Sequence, residues 1–334
     1  MAKLFSLALE KFGGLHLNQK GEVPISDGES PDMKNFRITE NGQLKLREGF
    51  RVLHRLNGPV RCLWQGTLNK VSLFLALVGK TLYRSFDGFE NLEPIGEIEG
   101  EERISCLEFR EKLYFLTGET ILVCDGEKLE EITPYRPLIR IASPPGGGGT
   151  PFEAVNFLSG QVRQTFSADG KTQIFHLISR AVESVDYVLL NGEELPKERY
   201  FAEPNYGTVQ IFGEVAEFPP DAGTENVEIG YTLAPETLPE PLFCRHGITY
   251  GGENDTRAFL YANPDKPALR YYSGIADGLP TMSYFPVTNV SMVGDGEAIT
   301  SIVRHYDRQI IFTPHSTYYS YPEVQTEETG RQYT

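Results

Sequence analysis

DGESPDMKNFRITENGQLKLREGFR, residues 27–51, is the stretch around which the rest of the chain is organised. It follows an N-terminal arm that contains Phe12-Gly13-Gly14-Leu15, and it precedes the rest of the chain. Within it, Ser30-Pro31-Asp32 predicts the start of a short helix. Serine caps helices, proline suits the first helical position, and an acidic side chain in the first turn favours the helix dipole.

A hairpin is predicted around Glu40-Asn41-Gly42 in the same stretch. A two-residue Asn-Gly loop would place Phe36 opposite Arg47, whereas a three-residue loop with left-handed Gly42 places Phe36 opposite Leu46. The longer loop also pairs Ile38 with Leu44, so that four apolar side chains share one face. We therefore predict the longer loop.

The composition indicates an all-β protein with short strands. The 334 residues include 20 Phe, 17 Tyr, 33 Gly and 22 Pro, enough aromatic residues and turn formers for many strands. The formal net charge of -15 argues against a protein that wraps nucleic acid through phosphate contacts. An acidic wall would nevertheless let DNA slide past without sticking. Residues 1–60 are less acidic, with nine basic against seven acidic side chains.

The cysteines indicate a protein made in a reducing cytoplasm. Cys62, Cys106, Cys124 and Cys244 lack the close pairing of a zinc site and are too sparse for a disulfide scaffold. We interpret them as reduced core thiols. No signal peptide and no apolar run of membrane-spanning length is visible, so we expect no membrane contact during assembly.

A pattern of four strands recurs along the chain. Residues 60–64 resemble residues 104–108 and 300–304, and each of these is followed by a charged turn and a second strand. A looser copy is expected between residues 242 and 293. A four-strand unit that recurs about every 40 to 50 residues is typical of a β-propeller blade. We predict about four visible blades, and either a fragment or further blades beyond Thr334, because the last copy stops after its third strand.

The repeat is interrupted by a segment of different pattern. A Pro- and Gly-rich stretch predicts a linker, and five alternating strands with turns at Asp169-Gly170 and Asn191-Gly192 predict a small β-sandwich. The predicted organisation is an arm and hairpin in 1–50, a first propeller part in 51–142, the linker in 143–160, the inserted sandwich in 161–233 and a second propeller part in 234–334. This second part is truncated if the chain is a fragment.

No motif predicts catalysis, a cofactor or a metal site. The glycines at 146–149 are followed by Thr150-Pro151, without the lysine and helix of a phosphate loop. Cys244-x-His246, even with His305 or His315, has no second ligand pair at zinc spacing. Neither a nucleophile elbow nor a zinc-protease helix motif is present.

Two features keep a sugar-related alternative open. Residues 85–92 resemble a weak Asp-box turn of sialidase-like propellers, although they lack the final Trp and an Asp-Gly pair is also an ordinary hairpin turn. The strand with Tyr318, Tyr319 and Tyr321 is suited to contact a sugar or a protein, because tyrosine is large, rigid and amphipathic. Tyrosine is equally common in ordinary strands.

The opening stretch resembles the N-terminal region of tailed-bacteriophage neck and tail propeller proteins. These include packaged-DNA stabilisation proteins and tubular tail nozzle proteins. The resemblance is most specific over residues 5–60, and the insert is similar to a sandwich often found in phage structural proteins. The signature residues are Gly13, Gly14, Pro31, Asp32, Asn35, Phe36, Gly42, Arg47 and Gly49.

This resemblance implies a structural virion component and no enzyme. Several copies would form a ring in the head-tail connector, neck or tail around the DNA path, for DNA retention and ejection. The implied partners are copies of itself, portal, adaptor or other tail proteins, and passing genomic DNA without specific binding. Assembly would occur in the cytoplasm of the bacterial host. The competing hypothesis is a carbohydrate-binding or glycoside-hydrolysing propeller.

Overall fold

The computed structural model describes residues 8–17, 24–180, 182–212, 219–234, 240–252 and 255–321, and the backbone of 325–326 and 332–333. The protein is all-β, with 47% of its residues in strands and 3% in helices, which confirms the predicted class. Three short 3-10 helices occur in the described ranges, at Lys197–Arg199, Pro204–Tyr206 and Glu240–Phe243. Among the described residues, no helix has the length and apolar character needed to cross a membrane.

The chain divides into two compact units, Met1–Arg55 and Leu56–Thr334. Within residues 8–17 and 24–55, the first unit contains two small strand pairs. β1 (Gly14–Leu15) pairs in parallel with β2 (Glu29–Ser30), and β3 (Phe36–Ile38) pairs antiparallel with β4 (Leu44–Leu46).

The register of the β3–β4 hairpin confirms the three-residue loop. Phe36 lies opposite Leu46 and Ile38 opposite Leu44. Gly42 has a φ of +75°, and its N–H donates to the carbonyl of Thr39 at 2.9 Å. Glycine adopts this left-handed conformation at low steric cost, so the loop length follows from its position.

The helix predicted at Ser30-Pro31-Asp32 is wrong. Ser30 lies in β2, its carbonyl accepts from the N–H of His16 at 2.8 Å, and its hydroxyl donates to the carbonyl of Asp32 at 2.8 Å. Asn35 has a φ of +62°, which no helical residue adopts. The few residues between β2 and β3 cannot offset the entropy of fixing a first helical turn.

The second unit begins with two antiparallel four-stranded sheets, each in sequential strand order. Sheet A contains β5 (Val60–Leu68), β6 (Val71–Val78), β7 (Thr81–Ser85) and β8 (Glu93–Glu97). Sheet B contains β9 (Ser105–Phe109), β10 (Lys112–Leu116), β11 (Ile121–Cys124) and β12 (Leu129–Glu131). These strands confirm the first two predicted four-strand copies.

The first turn of each sheet has the same unusual geometry. Asn69 and Lys70 in sheet A have φ values of +47° and +66°, and Arg110 and Glu111 in sheet B have +50° and +60°. Two successive left-handed residues form a type I′ turn, whose twist matches that of the flanking strands. The charged turns that follow the repeated motifs of sheets A and B are therefore tight hairpin turns without glycine.

The segment between the two pairs of repeats forms two further sheets. The larger sheet has the order β14 (Thr150–Pro151), β13 (Leu138–Ser143), β15 (Gln161–Phe166), β21 (Val227–Leu233), β17 (Val182–Leu190) and β18 (Glu193–Glu194). The smaller has the order β16 (Ile174–His176), β20 (Thr208–Ile211) and β19 (Tyr200–Glu203). Both contribute to one apolar core that includes Phe166, Phe175, Val209, Ile229 and Tyr231. All five predicted strands are present, and the predicted Asn191-Gly192 turn connects β17 to β18.

Residues 143–160, for which composition predicted a linker, are bonded to a later part of the chain. Asn156 is only 2% exposed. Its side-chain nitrogen donates to the carbonyls of Tyr135 at 2.9 Å and Ser283 at 2.8 Å. Its side-chain oxygen accepts from the N–H of Phe285 at 2.9 Å. The boundaries of a separate inserted module stay a prediction.

Two more antiparallel sheets follow. Sheet C contains β22 (His246–Tyr250), β23 (Arg257–Asn263), β24 (Lys266–Tyr272) and β27 (Val290–Met292), with the pair β25 (Ile275–Ala276) and β26 (Leu279–Pro280) inserted before its last strand. Sheet D contains β28 (Ser301–His305), β29 (Arg308–Phe312) and β30 (Thr317–Ser320). β31 (Gln325–Thr326) pairs with β32 (Gln332–Tyr333). These sheets confirm the strands predicted for the other two copies.

Sheets A to D pack in sequence through three apolar clusters. Leu77 and Leu82 of sheet A meet Leu113 and Phe115 of sheet B. A second cluster joins sheets B and C, and a third joins sheets C and D. The first strands of the four sheets adjoin one another in the order β5, β9, β22, β28.

Candidate functional site

The glycines of the signature allow the arm to approach β2 closely. The N–H of Gly13 donates to the carbonyl of Gly28 at 2.6 Å, and a Cβ on Gly13 would lie 3.0 Å from Cγ of Glu29. Gly14 has a φ of +124°, which other residues rarely adopt. These two signature positions therefore have a structural role.

Asn35 and Arg47 of the signature are bonded to each other across the hairpin. The N–H of Arg47 donates to the carbonyl of Asn35 at 2.7 Å, next to the end of β4. The guanidinium carbon of Arg47 lies 5.4 Å from the ring centroid of Phe50, within the range of a cation–π contact. The basic residue of the signature and Phe50, three residues further along the chain, thus form one local contact.

The remaining signature residues are at the surface. Pro31, Asp32 and Gly49 are exposed, and Phe36 is 42% exposed although it belongs to the apolar face of the hairpin. Leu46, its partner on that face, is 65% exposed. No residue described in this first unit is buried, so the unit presents an accessible apolar surface.

A side-chain hydrogen bond links His16, which follows β1, to Glu29 of β2. A ring nitrogen of His16 donates to the carboxylate of Glu29 at 2.8 Å. This hydrogen bond, together with one from the N–H of Ser26, holds the pKa of Glu29 below its ordinary value.

The three tyrosines predicted as an interface do not share a face. Tyr318 packs in the cluster between sheets C and D, and its hydroxyl donates to Asp295 at 3.3 Å. Tyr319 and Tyr321 are each 60% exposed and their rings are stacked 6.3 Å apart. The guanidinium of Arg308 lies 4.9 Å from the centroid of Tyr319. Strand alternation explains the difference, because successive side chains point to opposite faces.

A groove of about 270 Å³ lies between sheets C and D. Its wall is aromatic: the rings of Phe259 and Tyr272 are stacked 5.5 Å apart, and Tyr250 and Tyr321 also line it. Of these residues, the sequence indicated only Tyr321. Phe259 and Tyr272 lie on different strands, and only their pairing in the sheet brings them together.

Arg270 is the central cation of this groove. It donates to Ser291 Oγ at 2.9 Å, to Ser320 Oγ at 3.0 Å and to Oε1 of Gln309. Its guanidinium lies 5.4 Å from the centroid of Phe259. Burial lowers the pKa of Arg270, because the charged form loses solvation.

A larger cavity of about 650 Å³ is lined by residues of sheets A and B and by the start of β22. Arg61 is 6% exposed there and donates to four backbone carbonyls, those of Glu102, Gly79, Ile98 and Glu99, at 2.7 to 3.0 Å. Its donors are directed at the connection between the sheets. We therefore assign Arg61 a structural role, which the sequence analysis did not foresee.

The candidate metal ligands of the sequence are separated by other contacts. Cys244 is fully buried, the ring of His246 lies 5.6 Å from that of Tyr261, and His315 contacts Glu297 at 2.7 Å. Within the described ranges, no three His, Cys, Asp or Glu side chains are grouped so that they could hold a metal ion. The sequence motif around Cys244 therefore gains no support as a metal site.

The resemblance to an Asp-box is explained by turn geometry. Asp87 accepts hydrogen bonds from the N–H of Asn91 at 2.9 Å and from the hydroxyl of Ser85 at 2.8 Å. These bonds lower the pKa of Asp87 to about 2. The carboxylate is thus engaged in holding its own turn.

Cys62 and Cys106 occupy equivalent positions in the first strands of sheets A and B. Their sulfur atoms are 3.6 Å apart, both thiols are free, and both pack against the core between the two sheets. This confirms that the repeat places them at apolar core positions.

Comparison of the sequence with models of known protein families and with curated proteins gave no match.

Proposed function

We propose that this chain is a structural component of a tailed-phage virion. Several copies form a ring in the head-tail connector, neck or tail, around the path of the DNA. In this proposal sheets A to D are blades of a β-propeller, and the sheets between them are an inserted β-sandwich.

The packing of the four sheets supports the propeller. Successive blades of a propeller are small antiparallel sheets arranged radially around a central channel. In the second unit the first strands β5, β9, β22 and β28 adjoin in order, and each sheet shares an apolar cluster with the next. Both relations are those expected of consecutive blades.

The observation that carries the virion role is the signature in the first unit. Asn35, Phe36, Gly42 and Arg47 of the signature lie in or next to the β3–β4 hairpin, which has the predicted register. The apolar face of this hairpin is accessible at Phe36 and Leu46. A ring needs two different complementary surfaces on each subunit, because its interfaces are heterologous. The exposed hairpin face supplies a candidate for one of them.

The negative net charge of the chain is compatible with a channel through which DNA must pass without binding. With a net charge of -15, the surface favours repulsion of phosphate over adhesion.

The proposal assigns no reaction to the chain. The competing sugar-hydrolysing hypothesis requires two carboxylates facing one sugar. Turnover of glycosides by the purified chain would contradict the structural proposal.

Quantitative mass spectrometry of purified particles tests the proposal. We expect the chain in a fixed ratio to the portal protein in wild-type particles. A Phe36→Ser/Leu46→Ser variant should fold but be incorporated less, whereas a Lys45→Ser control on the opposite face of the hairpin should be incorporated normally. Absence of the chain from assembled particles would refute the proposal.

A further inference from the structure

The groove between sheets C and D contains a cation that lacks an anionic partner among the described residues. The three hydrogen-bond acceptors of Arg270 are Ser291, Ser320 and Gln309, all of them neutral. The other guanidinium of the groove, on Arg257, already pairs with Asp255. Arg270 is half-buried, and a partly desolvated charge without a counter-charge is unfavourable, so a bound anion would stabilise this site.

A buried donor beside Arg270 also lacks an acceptor. Gln309 is fully buried, and its Oε1 accepts from Arg270 and from the hydroxyl of Ser320. Its Nε2 has no hydrogen-bond partner within the described part of the chain. Reversing the amide would point its NH₂ group at the guanidinium, so the orphaned donor is not removed by a flip. Gln309 does not line the groove, so the guanidinium of Arg270, which does, is the group that favours a ligand with acceptor oxygens.

The wall of the groove suits a small ring. Tyr272 stacks on Phe259 with one face, and Tyr321 lies 60% exposed at the rim. A volume of about 270 Å³ lies just below the range of roughly 300–1,000 Å³ typical of drug-sized ligands. It therefore fits one substituted ring. Hydroxyl groups on such a ring would supply acceptors, and its apolar face would contact the tyrosines.

We propose that this groove binds a sugar ring that bears a carboxylate, with the carboxylate on Arg270 and the ring against the Tyr272 and Tyr321 wall. The site lies within sheets C and D of a single chain. It goes beyond the virion role, so its test in solution is independent of ring assembly.

The first test compares matched ligands on the wild-type chain. Ligand-detected NMR titration would use methyl galacturonoside, its carboxyl methyl ester, acetate and benzoate. We expect the uronoside to bind at least about tenfold more tightly than the ester or acetate, with affinity falling as salt rises. Equal binding of acid and ester, tighter binding of acetate or benzoate, or no binding of the uronoside would overturn the proposal.

The second test uses variants of the protein. Arg270→Gln should abolish the preference for acid over ester, and Arg270→Lys should retain a weakened preference because it keeps the charge but loses the planar fork. Arg304→Gln, which removes an exposed cation of sheet D outside the groove lining, is the matched control and should bind like wild type. An unchanged acid preference in folded Arg270→Gln would contradict the site.

Discussion

The first unit and the four-sheet region differ in how their strands are stabilised. In the first unit the strands are two or three residues long, and none of its described residues is buried. In sheets A to D, strands of up to nine residues bury Leu77, Leu113 and Phe115 completely. The first unit is specified by turn geometry and hydrogen bonds, whereas the sheets are specified by apolar packing.

The proposed function and the stability of the chain therefore rest on different regions: the function on the first unit, and the stability on sheets A to D. The signature on which the proposed virion role rests lies in the first unit, none of whose described residues is buried. Its accessible apolar face therefore gains most from a partner, whereas the sheets are already stabilised by one another. Substitutions should distinguish the two regions, with large effects on global unfolding in the sheets and local effects in the first unit.

The largest effect is expected in the core between sheets A and B. Leu113→Ala removes a fully buried side chain and should lower the free energy of unfolding by about 2–5 kcal/mol. Glu108→Ala, at the exposed residue that pairs with Leu113 on β9, should change it by less than about 0.5 kcal/mol. Urea denaturation of both variants checks the difference, and equal effects would contradict the assigned core.

A comparable loss is expected at Asn156. Asn156→Ala leaves buried backbone groups without partners. It should lower the free energy of unfolding, measured by urea denaturation, by about 2–4 kcal/mol. Asn156→Asp keeps the acceptor for Phe285 but cannot donate to the carbonyls of Tyr135 and Ser283. A wild-type midpoint for Asn156→Ala would show that residues 143–160 act as a free linker.

An increase in stability is expected from substitutions at the first turn of sheet B. Replacing Arg110 and Glu111 by Asn-Gly keeps the type I′ geometry and relieves left-handed strain, so we expect stabilisation by about 1–2 kcal/mol. Pro at position 110 would fix φ near -65° and should destabilise instead. Thermal unfolding followed by circular dichroism measures both effects.

A smaller and local effect is expected at Asn35. Asn35→Val places a β-branched residue at a φ of +62°. This should lower the free energy of local unfolding of the hairpin by about 1–2 kcal/mol. Amide exchange of Arg47, which donates to Asn35, should accelerate about tenfold, whereas Asn35→Gly should leave it near wild type. Unfolding of sheets A to D should be unchanged in both variants, and a shifted global midpoint would show that the hairpin belongs to their cooperative unit.

The smallest effect is the pH dependence of the His16–Glu29 contact. Because the folded pKa of Glu29 lies below the ordinary 4.5, its contribution is present above pH 4.5 and is lost as pH falls through the lower folded pKa. The amide resonance of His16, which donates to Ser30, should shift in that window. Glu29→Gln should remove the shift, and a titration midpoint above pH 4.5 would contradict the contact.

Local patterns in the sequence predicted much of the fold. The register of the first hairpin followed from Gly42, and the repeated strands followed from alternation and turn residues. The helix at Ser30 failed because capping signals without enough following residues cannot nucleate a helix. The parallel pairing of β13 with β15 was missed because it depends on contacts between segments that local periodicity does not report.

The candidate sites were less predictable for the same reason. The sequence predicted Tyr318, Tyr319 and Tyr321 together as an interface, but strand alternation directs the partly buried Tyr318 towards the cluster between sheets C and D. Tyr319 and Tyr321 stack on each other at the surface. The groove around Arg270 combines side chains from several strands, whose juxtaposition depends on how sheets C and D pack. The contacts of Arg61 likewise depend on the path of the connection between sheets A and B.

Cryo-electron microscopy of intact particles tests the virion ring most directly. We predict a ring of density around the DNA path below the portal, into which sheets A to D fit as propeller blades, with residues 27–51 at a contact between neighbouring subunits. A portal, neck and tail fully accounted for by other chains would contradict the proposed role.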